Sequence, residues 1–172
     1  MKNIKILHII GKVGAGKTTF IKKYFPNEYI FDIREIYEEY GFNPSEIKDA
    51  ESYSQFYSAI IYRIESLIKE LEQNNINLLI VESSGLNKAI NKAIEKYDRL
   101  IILIKSSFSD KIESVNSYAY ELNEKIDEAI RNDKLKYNLI FDFDNKEILG
   151  NIPENFNNII FNLKTKLKSV NP

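Results

Sequence analysis

The sequence predicts an α/β fold in which a parallel sheet is covered by helices on both faces. Three observations predict it. Short β-branched runs alternate with longer segments of helical periodicity, the pattern of consecutive βαβ units. The β-branched runs are nearly continuous in apolar residues, as strands covered on both faces should be. Finally, three of the chain's six glycines, Gly11, Gly14 and Gly16, fall in the junction between the first apolar run and the first amphipathic one.

Strands are expected at 4–10, 29–31, 77–81, 100–104 and 137–141. His8, inside the first, reads as a core residue. After the second strand, Asp32 and Glu35 stand three apart as a capping box for a helix carrying Ile33, Ile36, Tyr37 and Tyr40. Next, Tyr53, Phe56, Tyr57, Ile60, Ile61, Ile64, Leu67, Ile68 and Leu71 keep helical spacing, with Ser52 and Gln55 placed as a second capping box. Behind the third strand, Ser84 is placed to cap a helix from about Leu86. Phe108, Ile112, Val115, Ala119, Leu122, Ile126 and Ala129 repeat the helical spacing farther on. Asp142 and Asp144 end the fifth strand, and a last helix begins at Pro153, where a missing amide proton costs nothing, and runs to about Lys168. No repeat or linker interrupts the chain. At 172 residues and 44% hydrophobic, it is long enough for one well-buried core and short for two, so a single domain over 1–172 is expected.

Composition excludes several kinds of chemistry. The absence of cysteine removes disulfides, thiolate zinc sites and cysteine nucleophiles, and a single histidine rules out a histidine-rich metal site. Chemistry is left to carboxylates, lysines, arginines, hydroxyls and a bound ion. With a formal charge of -1 and lysines interleaved with glutamates, there is no basic field for a phosphate backbone, which disfavours nucleic acid as the main partner. No apolar run approaches the roughly 18 residues of a membrane span, and no signal-peptide pattern opens the chain, so a cytoplasmic location without membrane contact is expected.

The glycine-bearing junction is the most specific stretch. Residues 11–18, GKVGAGKT, fit the phosphate-loop pattern G-x-x-x-x-G-K-[ST] in full, directly after a strand and at the start of a helix. Glycines let the backbone turn its N–H groups onto phosphate oxygens, and the helix N-terminus adds partial positive charge. At average glycine usage, a chance match in a chain of this size is on the order of one per cent or less. A nucleoside triphosphate is therefore expected on Gly11, Lys12, Val13, Gly14, Ala15, Gly16, Lys17, Thr18 and Thr19. Lys17 would reach the β- and γ-phosphates, and the Thr18 hydroxyl would join the shell of Mg²⁺.

On these residues and on its layout, the chain resembles the P-loop NTPases and is most similar to the small P-loop kinases, the group of nucleoside monophosphate kinases and shikimate kinase. The resemblance implies a three-layer sandwich around a five-stranded parallel sheet of order 2-3-1-4-5. It also implies an acceptor bound over the segments after strands 2 and 3, and a lid between strands 4 and 5, here 105–135. ATP and Mg²⁺ are the implied cofactors.

Further site residues follow. Glu82 ends the third strand, where ligands of such sheets bind, and the resemblance makes it the acid that serves the metal or accepts a proton; the plainer reading is a solvated strand end. Asp32 and Arg34 resemble the acid and arginine that hold an acceptor, Arg34 as a two-pronged clamp, although Asp32 also suits a helix cap. Arg63 lies off its helix's apolar stripe and either faces the same cleft or solvent. The lid segment offers Lys105, Lys111 and Lys125 before a single arginine, Arg131, which either serves the transferring phosphoryl group or faces a helix dipole. The "FDFDN" segment after the fifth strand lies where such folds often contact adenine.

Rival phosphate-loop classes lack their signatures. Asn87-Lys88-Ala89-Ile90 has no aspartate to read guanine, no LSGGQ-like segment is present, and Val81-Glu82 is not the Asp-Glu pair of AAA-type motors. Two expectations remain. One is a Mg-dependent kinase that transfers the γ-phosphate of ATP to a small acceptor such as a nucleotide. The alternative is a nucleotide-binding regulatory or assembly ATPase with slow hydrolysis and a protein partner.

Overall fold

The computed structural model describes residues 4–43, 49–114 and 117–169. Side chains of 111–116 fall outside that description, and with them the expected roles of Lys111, Ile112 and Val115. The chain runs β1 (Lys5–Ile10), α1 (Lys17–Tyr24), β2 (Tyr29–Asp32), α2 (Ile33–Tyr40), α3 (Ala50–Gln73), β3 (Leu78–Ser83), α4 (Lys88–Ile94) and β4 (Asp98–Lys105). A 3₁₀ segment (Ser107–Ser114) follows, then α5 (Ser117–Arg131), β5 (Leu139–Asp142), β6 (Glu147–Gly150), a 3₁₀ turn (Glu154–Phe156) and α6 (Asn157–Ser169).

The sheet has six strands in the order β2-β3-β1-β4-β5-β6. Its first five are parallel in the expected order, and β1, flanked by β3 and β4, is central. The sixth strand departs from the expected five-stranded sheet. β6 pairs antiparallel with β5 through a tight turn in which the Asp142 carboxylate accepts from the backbone N–H of Asp144 and of Asn145. It is a short edge strand with one face solvated, so it carries no apolar run like those of the buried strands.

Alternation along each strand sends side chains to two faces. On one face, Leu7, Ile9, Ile102, Leu139 and Phe141 bury Phe20, Ile21 and Tyr24 of α1 and Ile160, Leu163 and Leu167 of α6. On the other, Ile4, Ile6, Leu79 and Val81 bury Ile36, Phe56, Ile60, Ile64, Ile90 and Ile94 of α2, α3 and α4. Ile10 and Leu103 take Ile126 and Ala129 of α5 on that same side. The Phe20 ring packs on Phe141 at 4.7 Å between centroids; its truncation to alanine is worth about 3–5 kcal/mol.

Local expectations hold in kind and shift in detail. Asp32 caps α2, its carboxylate accepting from the N–H of Arg34. The cap of α3 is Asp49, not Ser52, because its carboxylate accepts from both the N–H and the hydroxyl of Ser52 and so starts the helix one turn earlier. Likewise, α4 is capped by Asn87, which accepts from the Ile90 N–H, while Ser84 serves the turn before it. The helical stretch expected from Phe108 onward is divided between the 3₁₀ segment and α5. Pro153 stands before the 3₁₀ turn, and α6 begins four residues later at Asn157. Among the described residues, no helix is long and apolar enough to cross a membrane.

Candidate functional site

Parallel strands deliver the residues that follow them to one edge of the sheet. At that edge the loop after β1 carries positive φ at Gly11, Gly14 and Gly16, at 146°, 80° and 92°. Two of these glycines are also required by close approach. A Cβ at Gly11 would meet the Ile104 carbonyl oxygen at 2.7 Å, and one at Gly16 would meet the Phe143 ring at 2.9 Å. The loop is therefore seated between β4 and the β5–β6 turn by contacts only glycine permits.

Lys17, the first residue of α1, folds back over the loop and donates to the carbonyls of Gly11 (3.0 Å) and Lys12 (2.8 Å). Burial holds its ammonium below the ordinary lysine pKa; Glu82 opposes that shift, Arg34 adds to it, and Asp32 opposes it. An anion placed on this loop would meet a cation short of counter-charge. Beside it, the Thr18 hydroxyl donates to Glu82 Oε1 at 2.8 Å, joining the loop to the end of β3.

Asp32 is the register neighbour of Glu82 across β2 and β3, so the two carboxylates stand side by side at the sheet edge. Arg34 turns back on Asp32 in a fork: its Nε reaches both carboxylate oxygens, at 3.0 and 2.8 Å, and its Nη2 pairs with Oδ2. The same Nη2 approaches the Thr18 hydroxyl at 3.4 Å. The carboxylate hydrogen bond holds the guanidinium above its ordinary pKa. Lys17, Thr18, Thr19, Asp32, Arg34 and Glu82 line one cleft of about 440 Å³ with the glycines of the loop. Sequence-predicted residues absent from the cleft's walls are Lys12 and Ala15 of the loop itself, and Arg63 and Arg131, both exposed, on α3 and at the end of α5.

Other contacts are invisible in the motif. Asn123 of α5, 1% exposed, accepts from the Val13 N–H at 2.7 Å and donates to the Val13 carbonyl at 3.3 Å. This polar residue stands among Ala119, Ile126 and Ala129 on the buried face of α5, the one signal that could have found it. Lys12 is pinned to Asp127 (2.6 Å) and Asp110 (3.3 Å). Burial works against its charge, but the two carboxylates outweigh it and its pKa stands raised. The segment expected as a lid thus has its helix docked in the core and bonded to the loop. On the loop's outer side, Phe143 and Phe108 wall an apolar recess of about 390 Å³ with Gly14, Ala15, Gly16 and Thr19.

Thr18 and Glu82 suit a magnesium ion. A hydroxyl and a carboxylate oxygen in contact are the hard donors such an ion takes. Among the described residues, no group of three His, Asp or Glu side chains forms an all-protein cage.

The sequence matches no protein-family model and no curated protein. Its fold matches solved structures. Shikimate kinase from Bacteroides thetaiotaomicron superposes with a TM-score of 0.51 at 15% identity, covering 97% of this chain and 95% of that one. A Thermus thermophilus protein does so at 0.51 and 16%, covering 98% and 97%. A chain of the Pnkp1/Rnl/Hen1 RNA repair complex reaches 0.55 at 13% identity over 79% of this chain, which spans about half of that one (48%). The fold is thus shared with these structures, a shikimate kinase among them.

Proposed function

We propose that the protein is a Mg-dependent phosphotransferase that moves the γ-phosphoryl group of ATP to a hydroxyl of a small acceptor. The observation that carries this reading is the row Lys17, Thr18, Glu82, Asp32 along one cleft, with Thr18 bonded to Glu82 and Asp32 beside it. Backbone N–H groups of Gly14, Gly16, Lys17 and Thr18, at the turn of the loop and the start of α1, hold the triphosphate. Lys17 exchanges its two carbonyl partners for phosphate oxygens. The nucleotide base lies in the recess beside Phe143, where stacking on an aromatic ring holds it. Thr18 and Glu82 would hold Mg²⁺, which would neutralise charge on the phosphates. Asp32 accepts the proton of the attacking hydroxyl, and Arg34 keeps its carboxylate aimed into the cleft.

A second reading, a regulatory nucleotide-binding protein with slow hydrolysis and a protein partner, is favoured by one observation: Arg63 and Arg131 stand outside the cleft, which leaves Arg34 as its arginine among the described residues. Acceptor-dependent ADP release separates the two. The kinase reading expects ADP only when acceptor is present; release that no acceptor stimulates, with a change of oligomeric state on ATP addition, supports the other and overturns the first.

A further inference from the structure

Beyond Asp32, the phosphate cleft opens into a second chamber of about 310 Å³, a volume suited to a small molecule. The two are continuous, because Ile33, Ser83, Ser84 and Leu122 line both. A molecule in the chamber therefore presents one end to Asp32 and the phosphate loop. The chamber's walls differ in kind from the cleft's. Tyr37 and Tyr118 supply aromatic rings, Ile33 and Leu122 apolar surface, and Ser84 and Asn87 neutral polar groups. No charged side chain is among its described lining residues. Tyr37 is stacked on Phe56, with ring centroids 5.1 Å apart and planes 10° apart, so its position is fixed from behind. Burial, and after it the neighbouring Tyr118, raises the Tyr37 phenol, and burial raises that of Tyr118, so both stay neutral.

Polar capacity remains in the chamber. The Asn87 carbonyl oxygen is used in capping α4, which leaves its NH₂ group to donate. Ser84 Oγ accepts from the Leu86 N–H, which leaves the hydroxyl proton to donate.

Charge decides what fits. In the cleft, Lys17 and Arg34 balance Asp32 and Glu82, and Arg34 already spends its fork on Asp32. Once a magnesium triphosphate occupies the loop, the site is net negative. An acceptor carrying its own phosphate or carboxylate would face two carboxylates and a triphosphate with no uncommitted cation among the described residues of the chamber. An uncharged acceptor meets no such repulsion, and a ring with polar edges matches tyrosine faces and two neutral donors.

Resting on the kinase reading above, we infer that the chamber takes an uncharged, ring-bearing alcohol of the nucleoside class as phosphoryl acceptor. Its hydroxyl oxygen bonds to the γ-phosphorus as the bond from that phosphorus to the bridging oxygen breaks. The electron pair leaves with ADP, and the hydroxyl proton passes to the Asp32 carboxylate and then to solvent.

The test is ADP release by the full chain with Mg-ATP and a panel of nucleosides and deoxynucleosides, their 5′-monophosphates, small hydroxy acids, and an oligonucleotide with a 5′-hydroxyl. At least one free nucleoside is expected to exceed its monophosphate tenfold or more in kcat/KM. Tyr118→Ala should raise the nucleoside KM about tenfold with the ATP KM within twofold. The melting temperature of Tyr118→Ala, expected within a few degrees of wild type, shows that the chamber folds. Preference for a monophosphate, a hydroxy acid or the oligonucleotide overturns this inference and leaves the kinase reading standing. Release stimulated by no compound overturns the kinase reading, and this inference with it.

Discussion

Lys17 spends its ammonium on two backbone carbonyls of its own loop, contacts a triphosphate would replace. Lys17→Ala should weaken Mg-ATP binding about ten- to a hundredfold, the worth of one charge-assisted contact, with the melting temperature little changed because the residue lines the cleft and belongs to none of the core clusters. Titration with a fluorescent ATP analogue measures it, and unchanged affinity would remove the phosphate-loop assignment. Glu82→Gln keeps the reach to Thr18 and removes the charge. Turnover should drop about 10²-fold or more while ATP affinity moves much less, and single-turnover kinetics separate the two. Asp32 has two duties, capping α2 and facing the cleft. Since asparagine caps a helix nearly as well, Asp32→Asn should keep the wild-type unfolding midpoint and lose acceptor-dependent turnover by about 10². A variant of full activity would reduce Asp32 to a cap. The cap was legible in the sequence because it rests on residues within a few positions, and the place at the cleft because the end of a parallel strand lies at the ligand edge of the sheet. That Arg34 forks onto Asp32 was not, since the same guanidinium in the same place would equally suit an incoming anion.

At the scale of elements, the loop depends on α5. Asn123, itself buried, bonds both backbone polar groups of Val13 from a position 110 residues away. Asn123→Ala leaves those groups unsatisfied, so a stability loss of about 1–3 kcal/mol is expected, together with weaker ATP binding. Denaturant titration with and without Mg-ATP reads both effects; an alanine variant with wild-type affinity for ATP would separate α5 from loop geometry. Strands and helices with long apolar patterns were legible as elements, because periodicity reports burial directly. β6 was not. Four residues at a half-solvated edge carry no such period, and its turn places Lys146 at φ 55°, a position where Gly or Asn would have signalled it.

For the whole molecule, His8 ties stability to pH. It is the chain's only histidine, 1% exposed, with Nε2 against Ser83 Oγ at 2.7 Å and no partner for Nδ1 among the described residues. Burial, and after it the charge of Arg99, lowers its pKa from 6.5 to about 3. Above pH 6.5 it is neutral folded or unfolded and contributes no pH dependence. Below that, the unfolded chain takes up a proton that the folded one refuses, so stability falls as pH drops toward 3. The slope is at most about 1.4 kcal/mol per pH unit. Between pH 6.5 and 5, above most carboxylate titrations, the denaturation midpoint should fall in the native chain and stay level in His8→Asn; equal slopes would assign the effect elsewhere.

The sequence by itself determined the phosphate loop, the alternation of strands and helices, and the acid at the end of β3, because each is set by neighbours in the chain: glycines that permit positive φ, apolar periods that demand burial, a carboxylate at a strand end. Only the tertiary structure decided which distant groups share a cleft. Thr18 meets Glu82 across 64 positions and Val13 meets Asn123 across 110, while Arg63 and Arg131 are carried away from the loop. Such meetings depend on strand order and helix docking, which follow from the summed burial of a whole sheet and leave no mark on the residues that are brought together.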